Sequence, residues 1–224
     1  MSLVNRKREA WRKRRTGAGT TRRAAQAQQT RAGIAQAARR LFVAQGWAAT
    51  TVREVAREAG VSVPTVYAAY GNETGLARAL ADAADLAAGI PRTAEELEAA
   101  GEDPQRQLAA MAACDRRLFE QAGDVIALVR EAGRTEPELA EAYRDGRRRA
   151  DETRIRVFSA WAPGTLRGGL DVPAAVDAYA ALCSIDVYTV LTEERGWPPE
   201  RIEEWRTGVL ARELLARPAS PAQE

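Results

Sequence analysis

The sequence predicts an all-α protein of about nine helices, and three observations predict it. Beyond residue 30 the chain is dominated by Ala, Leu, Arg and Glu, all good helix formers. Its apolar residues recur at every third or fourth position, the period of a helix with one buried face. Runs of β-branched residues bounded by turn signals, the mark of strands, are missing. Glycine and proline punctuate the pattern at Gly46, Gly60, Gly71, Gly89 to Pro91, Gly101 to Pro104, Gly123, Gly133 to Pro137, Pro163 to Pro173 and Gly196 to Pro199. The 224 residues suffice for one or two folded domains with sizeable cores.

Each element has a local reason. The first predicted helix covers about residues 30–45, with Ile34, Ala38, Leu41 and Phe42 on one face and Gly46 just past its end, where a left-handed residue closes a helix. The second starts at Thr51. There Thr51-Val52-Arg53-Glu54 has the form of a capping box, the hydroxyl reaching one orphan amide and Glu54 reaching back to another. Val52, Val55, Ala56 and Ala59 form its inner face. Gly60 supplies a turn, Ser62 caps a third helix, and Pro64 falls in the first turn, where a missing donor costs nothing. Asn72 caps a fourth, which continues through Leu76, Leu80, Ala83 and Ala87. Further helices are expected near 105–121, 124–132, 136–162, 173–195 and 199–215.

Composition excludes whole classes of chemistry. With no histidine, Ser-His-Asp and Cys-His catalysis, His-ligated zinc or haem, and an imidazole pH switch are all impossible. Two cysteines, Cys114 and Cys183, are too few for a four-thiolate metal site or a disulfide framework; both read as small buried hydrophobes. No metal, no cofactor and no enzymatic activity are expected, since nothing resembles a catalytic cluster. No run approaches the ~18 apolar residues of a membrane helix, and the basic N-terminus has no apolar stretch behind it. A cytoplasmic protein without a membrane partner is the expectation.

The formal net charge of +2 hides a polarity. Residues 1–31 hold ten basic side chains and a single acid, Glu9, while the remainder carries an acidic excess. The expected organisation is a basic, flexible arm over 1–29, a helix-turn-helix domain over 30–72, a larger helical domain over 73–217 and a flexible tail over 218–224. A basic end on an acidic body suits a polyanion partner at that end only.

Residues 51–70 carry the functional signal. Two helices joined by a three-residue turn pack closely only if the facing side chains are small, which Ala56 satisfies, with Gly60 free to take the turn's left-handed backbone. Val61 and Val66 plug the corner. The second helix then directs Val63, Pro64, Thr65, Tyr67, Ala68 and Ala69 outward, as a recognition helix does. Each element alone would fit a hairpin that serves only as core; the combination points to double-stranded DNA.

On these residues the chain resembles the N-terminal domain of the TetR/AcrR family of transcriptional regulators. The likeness runs from Thr30 to Leu80 through Arg31, Ile34, Ala38, Leu41-Phe42, Gly46-Trp47, Thr50-Thr51-Val52, Val55-Ala56, Ala59-Gly60-Val61-Ser62, Pro64-Thr65-Val66-Tyr67, Tyr70 and Leu76. It implies a three-helix DNA-binding head, a connecting fourth helix, and a divergent helical domain that binds a small-molecule effector and dimerises. The DNA-contacting residues it implies are Arg31, Thr51, Val63, Pro64, Thr65, Tyr67, Ala68, Ala69 and Tyr70, with Arg22 and Arg23 offered to phosphates or a minor groove. The sequence departs from the family twice. Glu73 stands where relatives carry a phosphate-contacting lysine, and Ala68 and Ala69 are small where some relatives read bases with larger side chains.

For the rest of the chain, homodimerisation is expected through the helices near 173–195 and 199–215. Their apolar faces comprise Val176, Tyr179, Ala180, Cys183, Val187, Val190 and Leu191, then Ile202, Trp205, Val209, Leu210 and Leu214; closing the monomer's own core is the alternative use. Met111, Asp115, Phe119, Leu128, Tyr143, Phe158, Trp161 and Tyr179 are the candidate effector contacts. Arg147-Arg148-Arg149, beside Asp145, Asp151 and Glu152, reads as a solvated helix face. The functional expectation is a ligand-responsive repressor acting as a homodimer on a palindromic operator; the alternative is a ligand-binding or dimerisation protein whose relic head does not read DNA.

Overall fold

The computed structural model describes residues 3–87 and 90–217, with side chains for 23–83 and 92–217. The tail expected over 218–224 lies outside the described residues. The chain divides into two units, Met1–Leu76 and Ala77–Glu224.

In the first unit α1 (Leu3–Gln45) starts far upstream of residue 30. The expected arm is therefore helical from Leu3 onward. The stretch 20–30 is almost wholly Ala, Arg, Gln and Thr, and no proline precedes Pro64, so nothing stops a helix from propagating. Ile34, Ala37, Ala38 and Phe42 form the buried face of α1, and the Trp47 ring stacks on Phe42 at 5.4 Å. The helix α2 (Val52–Glu58) has the expected capping box at Thr51 and Glu54. At Gly60 the backbone takes φ +66°, which lets the Val61 N–H reach the Ala56 carbonyl at 2.9 Å. The helix α3 (Val63–Tyr70) begins at Ser62, whose hydroxyl accepts the Thr65 N–H. Val55, Ala56 and Val66 are buried, and α2 packs against both α1 and α3. The helix α4 (Glu73–Ala87) opens at Asn72, whose side-chain oxygen accepts the Gly75 N–H at 2.7 Å.

The second unit holds α5 (Ile90–Ala100), α6 (Pro104–Ala132), α7 (Pro137–Ser159), α8 (Val172–Leu182), α9 (Ile185–Thr189) running into a π turn (Val190–Glu194), and α10 (Pro199–Leu214). The long α6 is central and packs against α5, α7, α9 and α10. One core cluster gathers Leu108, Met111, Phe158, Val176, Tyr179, Leu210 and Leu214; a second gathers Ile185, Tyr188 and Ile202 with Phe119 and Ile126 against them. Among the described residues extended pairing is limited to one bridge, Leu166 with Leu215.

Three further boundaries, all in the second unit, differ from expectation. Gly123 does not break a helix but lies inside α6, where an added Cβ would come 3.3 Å from Ile185 Cδ1; the glycine serves close packing. The helix α5 was not anticipated, although residues 92–100 are strong helix formers joined by an Arg92–Glu96 pair at 2.8 Å. The segment expected as one helix over 173–195 is interrupted at Cys183, and Ser184 caps the next piece by accepting the Val187 N–H.

One exclusion is also corrected. Val172–Glu194 is long and apolar enough to span a membrane by composition alone. Here its apolar residues Ala175, Val176, Tyr179, Cys183, Ile185 and Tyr188 are buried in the unit's own core.

Candidate functional site

The outward side of α3 exposes Pro64, Tyr67 and Ala68, with Val63, Thr65, Ala69 and Tyr70 half-buried. Tyr67 is 50% exposed, unusual for a large aromatic side chain. The Thr65 hydroxyl lies 2.8 Å from that of Ser62. No residue of α3 is charged.

The other expected DNA residues hold the head together. The Tyr70 hydroxyl donates to the Arg31 carbonyl at 2.9 Å. The Arg31 guanidinium donates back to the Ala69 carbonyl and lies 5.2 Å from the Tyr70 ring centroid. This reciprocal clamp ties α1 to the end of α3. Thr51 is engaged with Glu54, whose carboxylate accepts the Thr51 backbone N–H at 3.0 Å. The bonds from that N–H and from the Thr51 hydroxyl hold the Glu54 carboxyl below its ordinary value. Glu73 Oε1 accepts the Val52 N–H at 3.0 Å, so two carboxylates serve the amino end of α2.

In the second unit two adjoining cavities, of about 220 and 100 Å³, share Asp115, Leu118, Arg149 and Arg154 in their walls. Asp115 is buried. Its Oδ2 accepts the Tyr179 hydroxyl at 2.9 Å, and its Oδ1 lies 3.5 Å from Arg154 Nη2. Arg154 also pairs with Asp151 at 2.7 Å and stands 4.4 Å over the Tyr179 ring. Burial pushes the Asp115 carboxyl upward, with Arg154 pulling against it, and it holds the Tyr179 phenol well above its ordinary range. The same burial lifts the Cys183 thiol to about 12, which keeps it protonated and unreactive. Behind Phe119 lies Arg206, fully buried and 5.2 Å from that ring. Its Nη2 donates to the Ser184 carbonyl at 3.0 Å, while Nε and Nη1 have no partner.

The comparisons add the family. Residues 34–80, which contain the capping box, the glycine turn and α3, match the family model described as bacterial regulatory proteins of the tetR family. Residues 34–80 thus carry a head of the tetR-family type. No curated protein sequence matches it. A putative transcriptional regulator from Saccharomonospora viridis, solved in complex with choline, is 20% identical, with a TM-score of 0.69 over 85% of this chain and 100% of that one. NalD, the secondary repressor of the MexAB-OprM multidrug efflux pump in Pseudomonas aeruginosa, is 23% identical, with a TM-score of 0.68 over 84% and 98%. A regulatory protein in the tetR family from Rhodococcus RHA1 is 22% identical, with a TM-score of 0.67 over 84% and 98%. At these identities the likeness shows a shared all-α fold extending well beyond the TetR-type head.

The candidate effector residues fall into two groups. Met111, Asp115 and Tyr179 line the larger cavity, and Asp115, Phe119 and Tyr143 the smaller. Leu128, Phe158 and Trp161 line neither. Phe158 is core, with the Trp161 ring 4.6 Å away and the Trp161 indole N–H donating to Gln107. Leu118, Arg147, Arg149, Arg154 and Arg156 also line the cavities and are not among the expected contacts. The expected solvated face holds for Arg148, paired with Asp145 at 2.9 Å, and for the exposed Arg149, although Arg147 and Arg149 also reach the cavity walls. A signal was present: Tyr143, Arg147, Ala150 and Arg154 fall at i, i+4, i+7 and i+11, one stripe of a helix.

Proposed function

We propose that this protein is a regulator of the tetR type, a ligand-responsive repressor that binds a palindromic operator as a homodimer. The observation that carries the reading is the exposed strip Pro64–Tyr67–Ala68 on a helix fixed by a Ser62 cap and by the Arg31–Tyr70 clamp. A rigid, outward helix of this kind suits the major groove. In a two-fold dimer the two copies of α3 would enter grooves about one helical turn, or a multiple of it, apart. Tyr67 and Thr65 are assigned to phosphates, Val63, Pro64, Ala68 and Ala69 to base edges. Thr51, Arg31 and Tyr70 present only what their internal bonds leave over. The basic residues of 1–29, with Arg23, supply further phosphate contacts. The cavities around Asp115 are the effector site, and binding there lowers operator affinity if the effector prefers one separation of the heads. That the Saccharomonospora protein holds choline and that NalD is a repressor supports this reading.

For the dimer contact we assign the residues of 173–195 and 199–215 that the monomer leaves outside its core. Val176, Tyr179, Cys183, Ile202, Leu210 and Leu214 are used up internally. Leu191 packs against the second core cluster; Val187, Val190, Trp205 and Val209 remain, Val190 being 39% exposed. The reading places the protein in the cytoplasm, as a regulator without a catalytic role or cofactor.

A second reading, a ligand-binding or dimerisation protein with a relic head, has one observation in its favour: the carboxylate of Glu73 beside the amino end of α2. Selection of genomic fragments by the purified protein, followed by titration against the selected and random duplexes at two salt concentrations, separates the two. A repressor prefers the selected sequence above the electrostatic background. Equal affinity for both duplexes identifies the relic head.

A further inference from the structure

The cavity walls carry a charge pattern that narrows the effector's chemistry. Arg149, Arg154 and Arg156 face Asp115 in the larger cavity; Arg147, Arg149 and Arg154 face Asp82 and Asp115 in the smaller. Cations outnumber carboxylates in both. Asp115 is moreover already engaged, one oxygen by the Tyr179 hydroxyl and the other by Arg154, so it is a poor receptor for a cationic ligand. Behind the Phe119 wall Arg206 adds a buried positive charge with two nitrogens that have no hydrogen-bond partner. Such a charge acts at long range in a medium of low dielectric.

The apolar and charged parts are separated. Met111 is buried, Leu118 and Phe119 are half-buried, and Arg149 and Arg156 are exposed. The arrangement is an apolar floor under an arginine rim. We propose that the larger cavity takes an amphiphilic organic anion, its apolar body seated against Met111 and Leu118 and its carboxylate held at the rim by Arg149 and Arg156. The proposal rests on reading these cavities as the effector site. Guanidinium suits the task because its planar fork matches the two oxygens of a carboxylate. Size limits the body: a dry cavity of about 150 Å³ accepts benzene, so the larger space of about 220 Å³ takes one ring with a short chain.

The test uses three probes with one body, 4-phenylbutyrate, 4-phenylbutan-1-ol and 4-phenylbutylammonium, titrated calorimetrically into the full chain at neutral pH. The carboxylate is expected to bind at least about tenfold more tightly than the alcohol, the scale of one hydrogen bond to a charged group, and the ammonium more weakly than either. The double variant Arg149→Gln/Arg156→Gln is expected to remove that advantage while leaving the alcohol's affinity unchanged. Leu118→Trp, which fills the shared wall, should abolish binding of both; Ala150→Leu serves the same end if the tryptophan variant does not fold. Alcohol or ammonium binding as tightly as the carboxylate, but lost in Leu118→Trp or Ala150→Leu, overturns the anion class and leaves the effector site standing. Carboxylate binding unaltered by a cavity-filling variant that folds overturns the location. Binding by none of the three overturns both.

Discussion

Glu73 accepts the backbone N–H of Val52 across twenty-one positions of sequence, at 3.0 Å. The carboxylate thereby occupies the amino end of α2, where unpaired N–H groups and the helix dipole favour negative charge. A DNA phosphate approaching that end meets an anion already in place. Replacing it with the opposite charge should show how much binding it suppresses. In Glu73→Lys, affinity for any duplex is expected to rise, and the slope of log K against log salt to steepen by about one unit per protomer. A salt titration of wild type and variant on the same duplex measures both. An unchanged slope would mean that DNA does not pass near this helix end.

The two tyrosines of α3 should separate under the same substitution. Tyr67→Phe removes an exposed hydroxyl and is expected to weaken operator binding about five- to tenfold, one net hydrogen bond, without moving the melting temperature. Tyr70→Phe removes the bond to the Arg31 carbonyl and is expected to cost about 1 kcal/mol of stability. Thermal melts alongside band-shift titrations distinguish a contact from a clamp.

The cap at Thr51 links stability to pH. Because the folded carboxyl of Glu54 is held below its ordinary value of 4.5, its contribution is fully present above that value and is lost as pH falls through the folded one. Thr51→Ala is expected to destabilise the head by about 1 kcal/mol near neutrality. The difference between variant and wild type should shrink in acid, as the wild type loses the same interaction. Melts from pH 7 down to pH 3 read this directly; a penalty independent of pH would separate the hydroxyl from the carboxylate.

Tyr179→Phe deletes the hydroxyl that donates to buried Asp115. An acceptor left unpaired in the core costs about 1–3 kcal/mol. Urea denaturation should show a lowered midpoint with an unchanged slope.

The head was legible in the sequence because its determinants are local. Thr51 with Glu54, Ser62 with Pro64, and Gly60 each act within four residues, and each does in the structure what its position requires. The clamp between Arg31 and Tyr70 joins residues thirty-nine positions apart and leaves no local trace, so the sequence alone offers both residues only as DNA contacts. In the second unit the same limit operates through packing. Gly123 looks like punctuation until Ile185 is known to press on it, and the break at Cys183–Ser184 contains neither glycine nor proline. Met111, Asp115 and Tyr143 were recognised by residue type, whereas Arg147 and Arg154 required the register of α7 and the identity of the helices facing it.

A helix that enters a major groove with the surface of α3 brings no guanidinium, amide or carboxylate. It therefore lacks the paired donors that grip the O6 and N7 edge of guanine and the paired groups that read adenine. Discrimination among bases falls to methyl contacts and to how readily the duplex deforms. Operators for such a surface tolerate single G·C exchanges under the helix while remaining sensitive to the flexibility of steps the protein never touches.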